Sequence, residues 1–361
     1  MDDVTSEVRE DRRRGRGAAS NRSGRFEATV RQDADDGWGS LADLPPFATT
    51  VAVDAARSII STNDSPDISF DQSINPYRGC EHGCIYCYAR PTHCYLGHSA
   101  GLDFESRLYV KPNAAALLRQ ELANPRYQVK TIALGTNTDP YQPLERTQRI
   151  TRSLLEVLAE ARHPVGIVTK SALVTRDIDI LADMARDGLV KVALSVTTRD
   201  RQLARAMEPR ASTPAKRLEA VAQLAAAGIP AAVMVAPIIP ALNDHEIESI
   251  LAAAASAGAS EAGYVMLRLP LEIKELFTEW LANAVPDRAA RIMKLVRSMH
   301  DGKAYRSTFG LRQRGSGPYA EQIAQRFRLA LKRHGLNERR LPLRSDLFRR
   351  PARDGAQLSL L

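Results

Sequence analysis

The sequence predicts an α/β fold: an open, partial (β/α)6 barrel of the TIM type with an extension at each end. Two observations carry this. Short apolar runs ended by turn residues alternate with amphipathic helical stretches from about residue 68 to residue 300, the pattern of a parallel sheet wrapped by helices. Six such units are present, short of the eight that close a full barrel. A chain of 361 residues, 44% apolar and 25% charged, has core enough for one large α/β domain or two smaller ones. The expected division is an irregular N-terminal arm over residues 1–60, the barrel over 61–300 and a basic extension over 301–361.

The arm comes first. Met1–Leu44 mixes Arg12-Arg13-Arg14-Gly15-Arg16 with Asp33-Ala34-Asp35-Asp36 and has almost no apolar periodicity, so it reads as a solvated tail or a surface strap anchored by Phe26, Trp38 and Leu41. Nucleic-acid contact through Arg12–Arg16 is the weaker reading. Ile68–Ile74 alternates as a strand does and delivers the chain to a cysteine loop. The strands then expected are Thr131–Gly135, Val165–Thr169, Lys191–Val196, Ala231–Pro237 and Gly263–Leu267. Between them lie helices at Gln148–Glu160, around Ile178, Leu181 and Met184, at Pro214–Ala227 and at Asp244–Ala257, two of them stopped by Gly228 and Gly258. Two more follow at Asp287–Met299 and Pro318–His334.

Chemistry concentrates in Asn75–Tyr88. Cys80, Cys84 and Cys87 fall within eight residues at the spacing C-x-x-x-C-x-x-C, and Cys94 follows. Thiolates bunched on one loop converge on a soft centre, either an iron–sulfur cluster or zinc. A closed zinc site takes a fourth ligand, commonly from a second pair, and the sequence has no second pair. Three cysteines fit a 4Fe-4S cluster with one iron left open. In parallel α/β folds, ligands gather where strands end. There the sequence places Gly135-Thr136-Asn137-Thr138-Asp139-Pro140-Tyr141-Gln142, then Thr169-Lys170-Ser171, Ser195 and Arg268. Lys170 suits a carboxylate partner, and the Ser195 hydroxyl can donate to the same group.

The cysteine loop with Tyr86 before its last cysteine resembles the signature of radical S-adenosylmethionine (SAM) enzymes. With GTNTDPYQPLE, VTKS, the strand around Ser195 and Met207-Glu208-Pro209-Arg210, it resembles the radical SAM proteins related to spore photoproduct lyase over about residues 68–300. The resemblance implies a partial barrel of the radical SAM type and two cofactors, a 4Fe-4S cluster on Cys80, Cys84 and Cys87 and SAM on its open iron. It implies Tyr86 beside the adenine, Thr138 and Asp139 in the cofactor-binding loop, and Lys170 and Ser195 on the SAM carboxylate. The implied chemistry is reductive cleavage of SAM to a 5′-deoxyadenosyl radical that takes hydrogen from a substrate. The lyase's hydrogen-donor cysteine aligns with Thr136, which leaves Cys94 as a relocated donor or a buried thiol.

Charge and composition bound the partners. Net charge is +8, and residues 301–361 hold 14 Lys+Arg against 5 Asp+Glu, so the positive excess sits at the C-terminal end and makes nucleic acid a candidate partner there. No apolar run approaches the roughly 20 residues that span a bilayer. The polar N-terminus has no signal-peptide core, and clustered thiols suit a reducing compartment, so a cytoplasmic protein without a membrane partner is expected. The implied reaction also needs an electron donor such as flavodoxin or ferredoxin. The competing class is a cluster-binding or electron-transfer protein without SAM turnover. A pure nucleic-acid-binding module is a distant third, because few aromatics interleave the basic residues.

Overall fold

The structure, a computed structural model, describes residues 8–27, 44–339 and 342–352. Its strands in chain order are β1 (Thr50–Val53), β2 (Ile60–Thr62), β3 (Gln72–Ile74), β4 (Tyr77–Arg78) and β5 (Arg107–Val110), then β6 (Ile132–Leu134), β7 (Val165–Thr169), β8 (Val190–Ser195), β9 (Ala231–Ile238) and β10 (Glu261–Met266). The main sheet has the order β10-β9-β8-β7-β6-β3-β2. From β3 to β10 every pairing is parallel, and β2 is added antiparallel at the edge. Six parallel strands in sequential order with open ends make the partial barrel that the sequence predicts.

Strand identity follows from burial. In β6 all three residues are buried, and in β8 no residue is exposed, as a sheet covered by helices requires. The helix Ile150–Glu160 turns Ile150, Leu154, Leu155 and Leu158 onto the sheet, the residues that its periodicity selects. Only Gln72–Ile74 of the expected Ile68–Ile74 strand pairs; the preceding residues form a turn and bend. The helix Ile273–Ala284 was not anticipated. It buries Ile273, Leu276, Phe277, Trp280 and Leu281 beneath the cysteine loop.

Both extensions differ from expectation. Within the described part of the arm, Arg16–Ser20 are buried, not solvated, and β1 pairs parallel to β5. Trp38 and Leu41, the other expected anchors, lie outside the described residues. At the other end the helix Gly317–Arg333 seats Ala320, Ile323, Phe327 and Ala330 in the main core, so the chain has no break in packing at residue 300. Asn337 continues this by exchanging two 2.9 Å hydrogen bonds with the backbone of Ala262, which covers the open edge of β10.

Candidate functional site

The cysteine loop leaves β4 and crosses the end of the sheet where β3, β6, β7 and β8 terminate. Cys80 and Cys84 are buried, Cys87 is half-buried, and all three are free thiols. Burial pushes the Cys80 and Cys84 thiols upward, and repulsion from neighbouring carboxylates and thiols adds to it. These two thiols favour the protonated form, and a coordinating metal deprotonates a thiol outright. The donor set fits an iron–sulfur cluster: three free thiols, two of them desolvated, on one loop. Among the described residues no group of three or more His, Cys, Asp or Glu is placed to hold a metal ion. A zinc ion would need its sulfurs about 2.3 Å from one point, whereas a cluster spreads them around a larger body.

The loop is braced from behind by a buried ion pair that sequence reading missed. Arg90, fully buried, donates to the carbonyls of Cys84 at 2.9 Å, Gly83 at 3.0 Å, Gly101 at 2.9 Å and Ala100 at 3.1 Å. Its remaining N–H meets Glu105, which also accepts from the backbone of Gly17 at 2.8 Å and Ala18 at 2.9 Å. All five guanidinium donors are thereby used. The N-terminal strap thus closes over the loop, and so tightly that a Cβ on Gly17 would lie 1.8 Å from the Gly83 carbonyl oxygen. Arg16 pins the strap through the Glu105 carbonyl at 2.6 Å, the Phe47 carbonyl at 2.8 Å and Thr49 at 3.0 Å. From the front, Gln142 accepts from the Glu81 N–H at 2.9 Å and donates to the Gly79 carbonyl at 3.2 Å.

The expected SAM residues gather beside the loop. Asn75 Oδ1 accepts from the Asn137 N–H at 2.9 Å and the Thr138 N–H at 3.3 Å, which folds the loop after β6 onto the cysteines. The Asp139 side chain is only 9% exposed; desolvation would raise its carboxyl, but His82, the Thr169 hydroxyl at 2.6 Å and the Lys170 N–H at 2.7 Å hold it at about 2. His82 Nδ1 stands 3.3 Å from Asp139 Oδ2, at ion-pair distance without hydrogen-bond alignment. The Lys170 ammonium lies 5.7 Å from the centre of the Tyr86 ring. The Tyr86 hydroxyl reaches Glu208 and Thr197, and Ser195 ends β8 buried beside them.

Glu208 and Arg217 hold this group together. Burial acts to raise the Glu208 carboxyl, yet the Arg217 guanidinium and the Lys170 ammonium keep it at about 2. Arg217 also donates to the Ser195 carbonyl at 2.9 Å, which ties the end of β8 to the same pair. Glu208 stood in the quoted Met207–Arg210 motif; Arg217 carried no sequence signal, since a helix arginine reads as solvated. Cys94 stands apart. It is fully buried, Gly24 backs onto it, and its charged neighbours are Glu272 and Arg25 rather than the other thiols. Thr136 lies near the loop, its hydroxyl 3.2 Å from Asn75 Oδ1 and its carbonyl bonded by the Tyr88 hydroxyl.

Comparison with known proteins agrees with this architecture. An uncharacterized protein from Mycobacterium tuberculosis is 40% identical over 232 residues, 64% of this chain and 68% of its own length. Spore photoproduct lyase complexed with dinucleoside spore photoproduct superposes with a TM-score of 0.55 at 18% identity, over 79% of this chain and 80% of that one. A mutant of that lyase with bound AdoMet and the dinucleoside gives 0.57 at 17% identity, over the same shares. At such identities the likeness carries the fold alone. The Radical SAM superfamily pattern matches residues 74–254, half of the chain, from the end of β3 to the helix after β9. Cysteine loop, strand order and sequence pattern together place this chain in the radical SAM superfamily.

Proposed function

We propose that this protein is an enzyme that holds a 4Fe-4S cluster on Cys80, Cys84 and Cys87 and reductively cleaves SAM. The observation that carries the reading is the meeting of three free thiols with Thr138, Asp139, Lys170 and Ser195 at neighbouring strand ends of one parallel sheet. When bound, the cluster supplies one electron to SAM and the resulting radical abstracts hydrogen from a substrate. Lys170 and Ser195 bind the SAM carboxylate, a charge-assisted contact in a half-buried setting. Asp139 keeps the backbone of Lys170 in place and stays ionised throughout the neutral range. Tyr86, fixed by Glu208 and Thr197, presents its ring as a wall for the adenine.

The substrate we infer is related to nucleic acid, since the positive excess of the chain sits in residues 301–361. A flavodoxin- or ferredoxin-type donor in the cytoplasm would supply the electron. No helix among the described residues is long and apolar enough to cross a membrane.

Anaerobic reconstitution with iron and sulfide, then dithionite and SAM, tests the reading. Release of 5′-deoxyadenosine by the wild type and its loss in Cys84→Ala are expected. Broad visible absorbance without any 5′-deoxyadenosine would leave a cluster-binding or electron-transfer protein instead.

A further inference from the structure

The loops after β6, β7 and β8 line an open cleft at the same end of the sheet. Its volume is about 630 Å3, and its polar lining is Arg146, Thr175, Arg176, Ser212, Thr213 and Lys216. Three cations and three hydroxyls line it, and no carboxylate does. The floor is tied to the strand end that carries Lys170. Ala172 N–H donates to Ser212 Oγ at 2.8 Å, and Ser212 N–H donates to the Lys170 carbonyl at 3.3 Å.

The three cations differ in how they are held. Arg176 is the fixed one: Glu145 and Asp177, both fully buried, take four of its five N–H donors and lock its orientation. Lys216 rests on Glu219 at 2.7 Å, an exposed pair of little strength that a better anion displaces. Arg146 is exposed and makes no side-chain hydrogen bond or ion pair among the described residues. Thr213 caps the 13-residue helix Pro214–Ala226, so the positive end of that helix opens at the cleft as well. A fixed guanidinium, two adjustable cations and the Ser212 and Thr213 hydroxyls, which accept from backbone N–H groups and so keep their protons to donate, suit a tetrahedral oxyanion better than a planar apolar ligand.

We propose that this cleft binds a phosphate group of the substrate, next to the strand end that carries Lys170. Its place beside the reacting centre rests on the function proposed above; the binding itself does not. Two sources share this chemistry, a phosphodiester of a nucleic-acid strand and a small phosphorylated molecule.

The test uses the reconstituted full-length protein with two probes, a labelled single-stranded DNA ten-mer and inorganic phosphate. Arg146→Ala and Lys216→Ala, both exposed and remote from the core, are expected to weaken the ten-mer at least fivefold each. Each should also lower the slope of log K against log salt by about 0.7, the value of one lost phosphate contact on a single strand. Arg328→Ala, on an exposed position of the C-terminal helix, should change the total affinity without altering the effect of those two substitutions. Loss of inorganic phosphate binding in both variants with ten-mer binding intact keeps the phosphate site and assigns it to a small molecule. Unchanged affinity for both probes overturns the proposal. If the wild type takes up no cluster but phosphate binding follows the expected pattern, the function proposed above falls and the cleft stands.

Discussion

Replacing Glu105 with Ala should release the N-terminal strap from the cysteine loop while the barrel remains folded. The carboxylate is fully buried and serves the Arg90 guanidinium and the N–H groups of Gly17 and Ala18. Removing one partner of a buried pair costs about 3–5 kcal/mol, because the other charge is left without compensation. That penalty falls on Arg90 and the cysteine loop, where four carbonyl partners soften it; the strap itself loses two hydrogen bonds to the carboxylate, from Gly17 and Ala18, at about 1.5–3 kcal/mol each. A loss of about 3–6 kcal/mol multiplies the population of the open strap by roughly two to four orders of magnitude.

Limited trypsin digestion reads that population directly, since cleavage of a transiently opened segment tracks its opening equilibrium. The diagnostic bond follows Arg16, which is buried in the closed form. Cleavage there should accelerate at least a hundredfold in Glu105→Ala, and the visible absorbance of the reconstituted cluster should bleach faster in air. Gly17→Val supplies an independent route, because its side chain collides with the Gly83 carbonyl without removing any charge. Wild-type digestion kinetics in both variants, with an unchanged far-ultraviolet circular dichroism spectrum, would refute the account of the strap as a seal.

Four further outcomes follow from the site. Cys80→Ala and Cys87→Ala should abolish cluster absorbance, whereas Cys94→Ala should keep it, since Cys94 is fully buried with Glu272 and Arg25, not the other thiols, as its charged neighbours; iron loss in Cys94→Ala counts against three-cysteine ligation. Lys170→Ala should weaken SAM binding by about 1–3 kcal/mol in calorimetry with cluster content unchanged, and equal affinity would place Lys170 outside the SAM contacts. His163, held near 4 by burial and used as a neutral ring between Tyr127 and the Pro164 carbonyl, binds protons more readily unfolded; stability should therefore fall as pH drops from about 6.5 toward 4, by on the order of 3 kcal/mol, and urea titrations of His163→Gln should show a shallower slope across that window. Repair of dinucleoside spore photoproduct should be absent, because Thr136 offers a hydroxyl where the lyase has its donor cysteine; efficient repair abolished by Cys94→Ala would instead make that buried thiol the donor.

The fold and the cysteine loop were legible in the sequence, while the contacts that hold the loop were not. Buried parallel strands leave a local trace: the expected Val165–Thr169 and the observed β7 coincide because a short apolar run between turns has few other solutions. Cys80, Cys84 and Cys87 are legible for the same reason, since their spacing lies within one loop. The helix Ile273–Ala284 was legible in principle from Ile273, Leu276, Phe277, Trp280 and Leu281 at helical spacing. Arg16, Arg90 and Arg217 were not. An arginine in a polar run has the composition of a solvated surface, and its burial depends on partners that only the topology supplies. Arg16 meets the carbonyl of Glu105, 89 residues away, and that same residue's carboxylate meets Arg90. The strap's charge density, which argues for a tail when its sequence is taken alone, is what ties it down once Glu105 is in place. Charge in such a segment therefore predicts exposure only where the fold offers it no buried counter-charge.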